Sequence, residues 1–368
     1  MAVTFDSRAA EALTESITHL GAFEAAGVPL DVESCTLTFD EAQAPHALFR
    51  ARCKVPTSQA DLDALDPRLG KRMTVAMGYR YAGGTRDVQR MADLILDDRR
   101  VSRPQNTMEL VGQSDERVLM DFGSGVTDTA IPTSAEAFSA IRSLIWASIP
   151  NAPTADDSTR ATGWVGAEPI VIKAGDNSMA AILDIADRAG DLWVYDDGLR
   201  TWRITKRPTL VGKPKLALKV GVDGTIITAQ TGVGRKDFAN SVLVRHTWRD
   251  ANKVDQVVQG YADVMSGPYS VGAIGRKLMV VERDYAGTTA TAQAAARSLV
   301  RRAVSRGRSL TIEAIAAYWL RPGDTISIQL PTGPEELHLI AAVHFEQPSG
   351  LMTIETRQPD DITIQTGA

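Results

Sequence analysis

Cysteine is nearly absent: 368 residues contain only Cys35 and Cys53. A disulfide framework of the kind that staples small secreted domains is therefore excluded. No apolar run approaches the roughly 20 residues that cross a bilayer as a helix, and the N-terminus has no basic start leading into an apolar core. Neither a membrane anchor nor a secretory leader is expected. Positive charge is not in excess, since 40 Lys and Arg face 45 Asp and Glu for a formal net charge of −5. That balance argues against a dedicated nucleic-acid binder. Histidine is scarce, at five residues, and neither His-Glu-x-x-His nor Cys-x-x-Cys occurs.

What the chain does have is alternation. Leu310, Ile312, Ala314 and Ala316 alternate with Thr311 and Glu313, and Leu320-Arg321-Pro322-Gly323-Asp324 then turns a corner into Ile326, Ile328 and Leu330. Leu337, Leu339, Ala341, Val343 and Phe345 alternate with His338, Ile340, Ala342 and His344, and Gln347-Pro348-Ser349-Gly350 turns into Met352 and Ile354. Period two over four segments, joined by Pro and Gly turns, predicts an antiparallel meander with one buried and one polar side. Thr325, Ser327 and Gln329 are expected on the polar side. Strands are also predicted at 32–39, 47–55, 72–80, 86–99, 106–112, 216–220, 224–229 and 241–248. Two sets of strands suggest an internal duplication.

Helices are fewer. Thr133-Ser134-Ala135-Glu136 reads as a capping box opening a helix from 134 to about 148. Asn177 caps a helix striped by Met179, Ile182, Leu183 and Ala186, and a hairpin with Trp193 and Trp202 follows around Asp196-Asp197-Gly198. Residues 288–304 form a helix with a narrow stripe of alanines, which suits close packing on a sheet. Residues 1–28 read as an arm, helical between Ser7 and Glu24.

The C-terminal meander, with its Leu-x-Pro-Gly-Asp-x-Ile-x-Ile corner and final Gly350-Leu351-Met352-Thr353-Ile354-Glu355-Thr356-Arg357, resembles the tube-like domain of phage tail hub proteins. Ala44-Pro45-His46-Ala47-Leu48-Phe49, Leu65-Asp66-Pro67-Arg68-Leu69-Gly70, Asp93-Leu94-Ile95-Leu96 and Gly112-Gln113-Ser114-Asp115-Glu116 are similar to the opening tube-like domain of hubs in actinobacteriophages. The expected fold is mainly β with an α+β insert: two tube-like antiparallel β-barrel or sandwich domains plus a smaller helix-and-hairpin domain. Expected boundaries are an arm at 1–28, a first β domain at 29–114, an inserted domain at 115–206 completed by parts of 240–286, and a second β domain from 207–239 and 287–360.

The resemblance implies a structural role in the virion, at the tail tip, after synthesis in the host cytoplasm. It implies a homotrimeric baseplate hub ring in which six similar domains match the tail tube above. Its partners would be the distal tail protein, the tape measure protein and other tail-tip proteins, with genomic DNA passing through unread. The competing reading is a tail-tip cell-wall hydrolase or carbohydrate-binding adhesin. So few residues follow the last strand that an appended module of that kind is not expected.

No residue is assigned a catalytic, cofactor-binding or metal role, and no cofactor is expected. His338 and His344 share a strand face but stand roughly 20 Å apart, too far for one metal. Asp191, Asp196 and Asp197 belong to a turn, because Trp193 and Tyr195 occupy the positions where a calcium loop needs oxygen ligands. Asp97 and Asp98 are strand neighbours pointing to opposite faces, so they cannot flank one bond. Ser124 lacks a nucleophile elbow, and the glycines around Val233 lack the Lys-Ser/Thr ending of a phosphate loop. Cys35 and Cys53 face the core on adjacent strands, so either a disulfide or two buried thiols is open. Eight acids against Arg8 and Arg50 in residues 1–50, and five arginines with no acid in 285–312, could guide subunit stacking; the arginines taken alone read rather as the basic end of a solvated helix.

Overall fold

The computed structural model describes residues 5–367 except 6–8, 15–16, 124–126, 133–135, 157–169, 190–191, 209–210, 236–237, 251, 306–307 and 359–362. The capping box at Thr133, Ser124 and Asp191 lie wholly or partly outside the described residues. A first run of elements comprises α1 (Ala9–Ala12), β1 (Thr18–Ala25), β2 (Val28–Pro29), β3 (Val32–Asp40), β4 (Ala47–Lys54), α2 (Gln59–Ala64), β5 (Arg72–Arg80), β6 (Arg86–Ser102) and β7 (Thr107–Gln113). An α/β insert follows with α3 (Glu116–Asp121), β8 (Thr129–Ile131), α4 (Ala137–Ser148), β9 (Thr154–Asp156), β10 (Ile170–Ile172), α5 (Ser178–Arg188), β11 (Leu192–Asp196) and β12 (Trp202–Lys206). The chain then forms β13 (Leu216–Lys219) and β14 (Ile226–Val233) before an excursion through β15 (Ser241–Arg249), β16 (Asp255–Val264), α6 (Val271–Ile274), β17 (Leu278–Arg283) and α7 (Thr289–Ser305). It returns with β18 (Arg308–Ile315), β19 (Thr325–Gln329), β20 (Glu336–Gln347) and β21 (Leu351–Arg357), and β22 (Ile364–Gly367) ends the described chain.

The fold is mainly β. Strands from both halves join one 13-stranded sheet in the order β14-β18-β21-β20-β3-β4-β7-β6-β5-β1-β2, with β19 and β13 branching from β20. The halves meet where β20 pairs antiparallel with β3, from Ala342 opposite Asp40 to Gln347 opposite Cys35. One apolar core serves both, running from Leu37, Phe39 and Phe49 to Ile312, Phe345 and Ile354. A buried hydroxyl chain crosses the same joint: Tyr79 donates to the Ala316 carbonyl at 2.6 Å and accepts from the Tyr318 N–H at 3.1 Å. Tyr79→Phe deletes that hydroxyl and strands both backbone groups. It is expected to cost about 1–3 kcal/mol, read as a lower urea midpoint at unchanged m-value.

The N-terminal segment differs from expectation. Residues 18–25 are not helical; β1 pairs with β5 along its whole length, from Thr18 opposite Arg80 to Ala25 opposite Met73. Phe23 stacks on Phe49 with ring centroids 5.6 Å apart. The partner strand β5 lies far off in sequence, from Thr18 opposite Arg80 to Ala25 opposite Met73, and it overrides the local helical preference.

The 240–286 region does not complete the insert. It forms its own four-stranded sheet, β17-β15-β16-β22, and packs on α7 around Val242, Val244, Ala262, Ala292, Ala296 and Val300. So α7 belongs to this core and not to the meander. The alanine stripe works as read: a Cβ on Gly260 in β16 would sit 2.5 Å from the Gln293 nitrogen and 2.8 Å from the Ala292 carbonyl carbon. The insert has a third core, built from α3, α4, α5 and the β11-β12 hairpin around Phe138, Ile141, Ile182, Ile185 and Trp202. Its hairpin loop spans 197–201, with the Asp197 N–H donating to the Thr201 carbonyl, and is longer than a two-residue turn.

Candidate assembly surfaces

The four strands β3-β4-β7-β6 and the four strands β14-β18-β21-β20 correspond rung by rung. In the first set Cys35, Ala51, Leu110 and Arg99 lie across from one another, and in the second Ala229, Ile312, Ile354 and Val343 do. The irregularities match too. An extra residue interrupts β3 against β4 between Val32 and Ser34, and β14 against β18 between Ile226 and Thr228. Another interrupts β6 against β7 between Leu96 and Asp98, and β20 against β21 between Ile340 and Ala342. Bulges at two equivalent places in each set mark a duplication directly.

The bulge at Ala341 and the pairing of β13 with β19 each correct a reading of the meander. Because one extra residue flips every later side chain, Ile340 and His338 point inward before it and Val343 and Phe345 after it. His338 is buried and hydrogen-bonds Thr356, whereas His344 is half-buried and hydrogen-bonds Thr38. The two histidines therefore do not share a face. Thr325 and Ser327 are also not outward: β13 pairs along β19, both residues are buried, and Thr325 Oγ1 accepts from the Gly212 N–H at 2.7 Å. Only Gln329 of the three is exposed.

The outer face of the eight-strand array is polar. Glu346, Thr36, Arg50, Val111 and Asp98 form one cross-strand row, and Ser34, Arg52, Glu109 and Arg100 form the next. Acids and bases alternate along these rows, which line a trough of about 700 Å³. Asp98 pairs with Arg100 at 2.9 Å, and Asp97 with Arg117 at 2.7 Å. These aspartates are thus sheet-surface ion pairs.

Three of the eight acids of residues 1–50 form ion pairs inside the chain: Asp31 with Lys54, Glu33 with Arg52 and Glu41 with Arg357. Among the basic residues of the 285–312 stretch, Arg297 and Arg301 are exposed on α7, and Arg306 lies outside the described residues. Cys35 and Cys53 are free and buried, and burial pushes both thiols up to about 12. The bulge in β3 sets Cys35 opposite Ala51 and Cys53 opposite Val32.

Where the insert docks on the main sheet, a polar cluster is sealed from water. Asp115, Glu116 and Asp196 are each buried. The Asp115 N–H donates to Asp196 Oδ2 at 3.0 Å, and the Asp196 N–H donates to Glu116 Oε1 at 2.8 Å. Arg72 reaches Asp115 at 2.7 Å and Asp93 at 2.6 Å. Burial raises Glu116 to about 7, outweighing the Ser114 hydroxyl and nearby N–H groups, and burial with the Glu116 charge raises Asp196 well above the usual range. His46 packs between Phe39 and Tyr195, and burial lowers it to about 4. Asp196 and Asp197 are thereby accounted for as docking and turn residues, with Asp197 accepting from the Leu199 and Thr201 N–H groups. Trp193 stacks on Tyr195 at 4.0 Å while Trp202 faces the insert's core, so neither presents a sugar platform. Nothing in the sequence marks Glu116 for burial, since Ser114-Asp115-Glu116 is polar throughout. Among the described residues no group of three or more His, Cys, Asp or Glu could hold a metal ion.

No protein-family model matches the sequence, and no curated protein does. Solved structures do. The 43 kDa tail protein of prophage MuSo2 from Shewanella oneidensis matches with a TM-score of 0.66 at 15% identity, over 94% of this chain and 100% of that one. A tail protein from Neisseria meningitidis MC58 matches with a TM-score of 0.66 at 14% identity, over 93% and 96%. The chain has the fold of phage tail proteins. A third structure with the tail-protein fold is Escherichia coli c3393, a type VI secretion component with structural similarity to the T4 tail proteins gp27 and gp5 (TM-score 0.53, 10% identity, 92% and 77% coverage).

Proposed function

We propose that the chain is a structural, non-enzymatic component of the phage tail tip: the baseplate hub ring that closes or extends the tail tube. One observation carries this reading. Two matched four-strand sets lie edge to edge in a single array, and among the described residues neither the outer edge of β14 nor the half of β6 past its bulge has a second strand partner. An array of repeated modules with unsatisfied ends closes head to tail into a ring. Three copies would supply six modules, as the resemblance to hubs implies.

The polar face suits the lumen of such a ring. Its acids and bases alternate in rows, so it offers no net positive track to a nucleic acid backbone. DNA would pass without being held. The insert and the β15–β17 unit, which stand on separate cores, supply surfaces for the tape measure protein, the distal tail protein and other tip proteins. The test is a virion reconstruction together with a mass measurement of the isolated chain. The expected result is a three-copy ring at the tail tip and a species three times the 39.6 kDa chain mass; a virion with no density for this chain at the tip refutes the assignment.

A further inference from the structure

The duplication leaves one joint made and one joint open. Inside the chain, β20 of the second set pairs with β3 of the first. The strand equivalent to β20 is β6: both are long, both carry the bulge, and both pair with one strand before the bulge and another after it. Past the bulge β20 has a partner on each edge, β21 and β3, whereas the same part of β6 has only β7 among the described residues. The strand equivalent to β3 is β14, which among the described residues pairs only with β18.

Burial shows what β14 lacks. By the rung correspondence Cys35, Leu37 and Phe39 match Ala229, Thr231 and Val233. The first three are 5%, 0% and 0% exposed; Val233 is 82% exposed and Ala229 and Thr231 are exposed as well. Strand β14 carries no charge or proline over its eight residues, so nothing in it blocks edge pairing. A bare, uncharged edge and the free half of a strand whose duplicate is already paired form the two halves of a single contact.

We propose that β14 of one copy pairs antiparallel with residues 98–103 of the next copy, in the register that β3 and β20 use within the chain. Asp98 then stands opposite Gly234, Arg100 opposite Gly232, and Ser102 opposite Gln230 of the neighbouring copy. The contact is head to tail, so it closes a ring and does not stop at a dimer. It rests on the ring reading above and adds the strands and the register to it.

The test is the full-length Ser102→Cys/Gln230→Cys variant, concentrated and mildly oxidised, beside a slipped control, Ser102→Cys/Thr231→Cys. Both Ser102 and Gln230 are exposed in the single copy, and the native thiols are buried, so the substitutions are expected to leave folding intact and background exchange low. The matched pair is expected to shift the chain to covalent multimers ending in a closed three-copy band, and the slipped pair to leave it mostly single, because a one-residue slip turns the side chains to opposite faces. In addition Thr231→Lys, which charges a position whose duplicate Leu37 is buried, is expected to abolish assembly while the chain melts as the unmodified protein does. A three-copy assembly in which the matched pair stays reduced overturns the joint and leaves the ring standing. A chain that remains single at every concentration overturns both.

Discussion

Phe39→Ala is expected to remove about 3–5 kcal/mol of unfolding free energy, the range for emptying a buried aromatic site. Phe39 is fully buried, and it is touched from three directions. Phe345 of the second strand set meets it edge on at 6.5 Å, the Arg321 guanidinium lies over its ring at 4.3 Å, and Gly198 of the insert hairpin approaches so closely that a Cβ there would stand 2.9 Å from the ring. No single neighbour can collapse into the vacancy without leaving another. Arg321, which burial already lowers to about 10, would also lose the ring face beneath it. Since domains are stable by only about 5–15 kcal/mol, the loss is a large share of the whole. Phe39→Leu, which keeps most of the volume, should cost less than about 1.5 kcal/mol. Guanidinium denaturation of the two variants decides the matter: a Phe39→Ala midpoint close to that of Phe39→Leu would show that the site is not a three-way contact.

Glu116→Gln should change how stability depends on pH. A carboxyl whose folded pKa is raised keeps its proton longer in the folded chain than in the unfolded one, so it costs nothing below the unfolded value and progressively more as pH rises. For Glu116 that penalty grows from about pH 4.5 to about pH 7 and is then constant. At about 1.4 kcal/mol per unit the full cost is on the order of 3 kcal/mol. Asp196 acts in the same direction. His46 opposes them: its folded pKa is lowered to about 4, so stability is lost as pH falls from about 6.5 to 4. The two trends overlap, and the unmodified chain should show a flattened profile across that window. Glu116→Gln should match it near pH 4 and exceed it by an amount that grows up to about pH 7, leaving the His46 slope exposed. Equal gains at pH 4 and pH 8 in urea titrations would mean that folding does not shift the carboxyl's pKa.

The strands of the meander, the Pro-Gly-Asp corner and the helix capped by Asn177 were legible because alternation, turn residues and a cap are local signals. The strand Thr18–Ala25 was not, because Thr-His-Leu-Gly-Ala-Phe-Glu-Ala alternates weakly and takes its order from β5. The bulge at Ala341 was equally silent, since an inserted residue among apolar neighbours leaves no mark, yet it decided which histidine is buried. Two groups of strands in the sequence point to a duplication, but only the ladder shows which strand answers to which. Burial of Glu116 depends on a hairpin 80 residues away, and no window of sequence contains both.

The matched bulges also separate what the two strand sets share from what only one of them has. In the first set the corner between β3 and β4 is residues 41–46, while in the second the equivalent corner between β14 and β18 is residues 234–307, grown into a folded unit with its own core. Lengthening a loop costs only about 0.6 kcal/mol per doubling, whereas adding one residue inside a strand would move a whole side of the sheet out of register. The copies could therefore diverge freely in their corners and scarcely at all along their ladders. An ancestor made of one short module, copied first and enlarged at one corner afterwards, would leave this pattern.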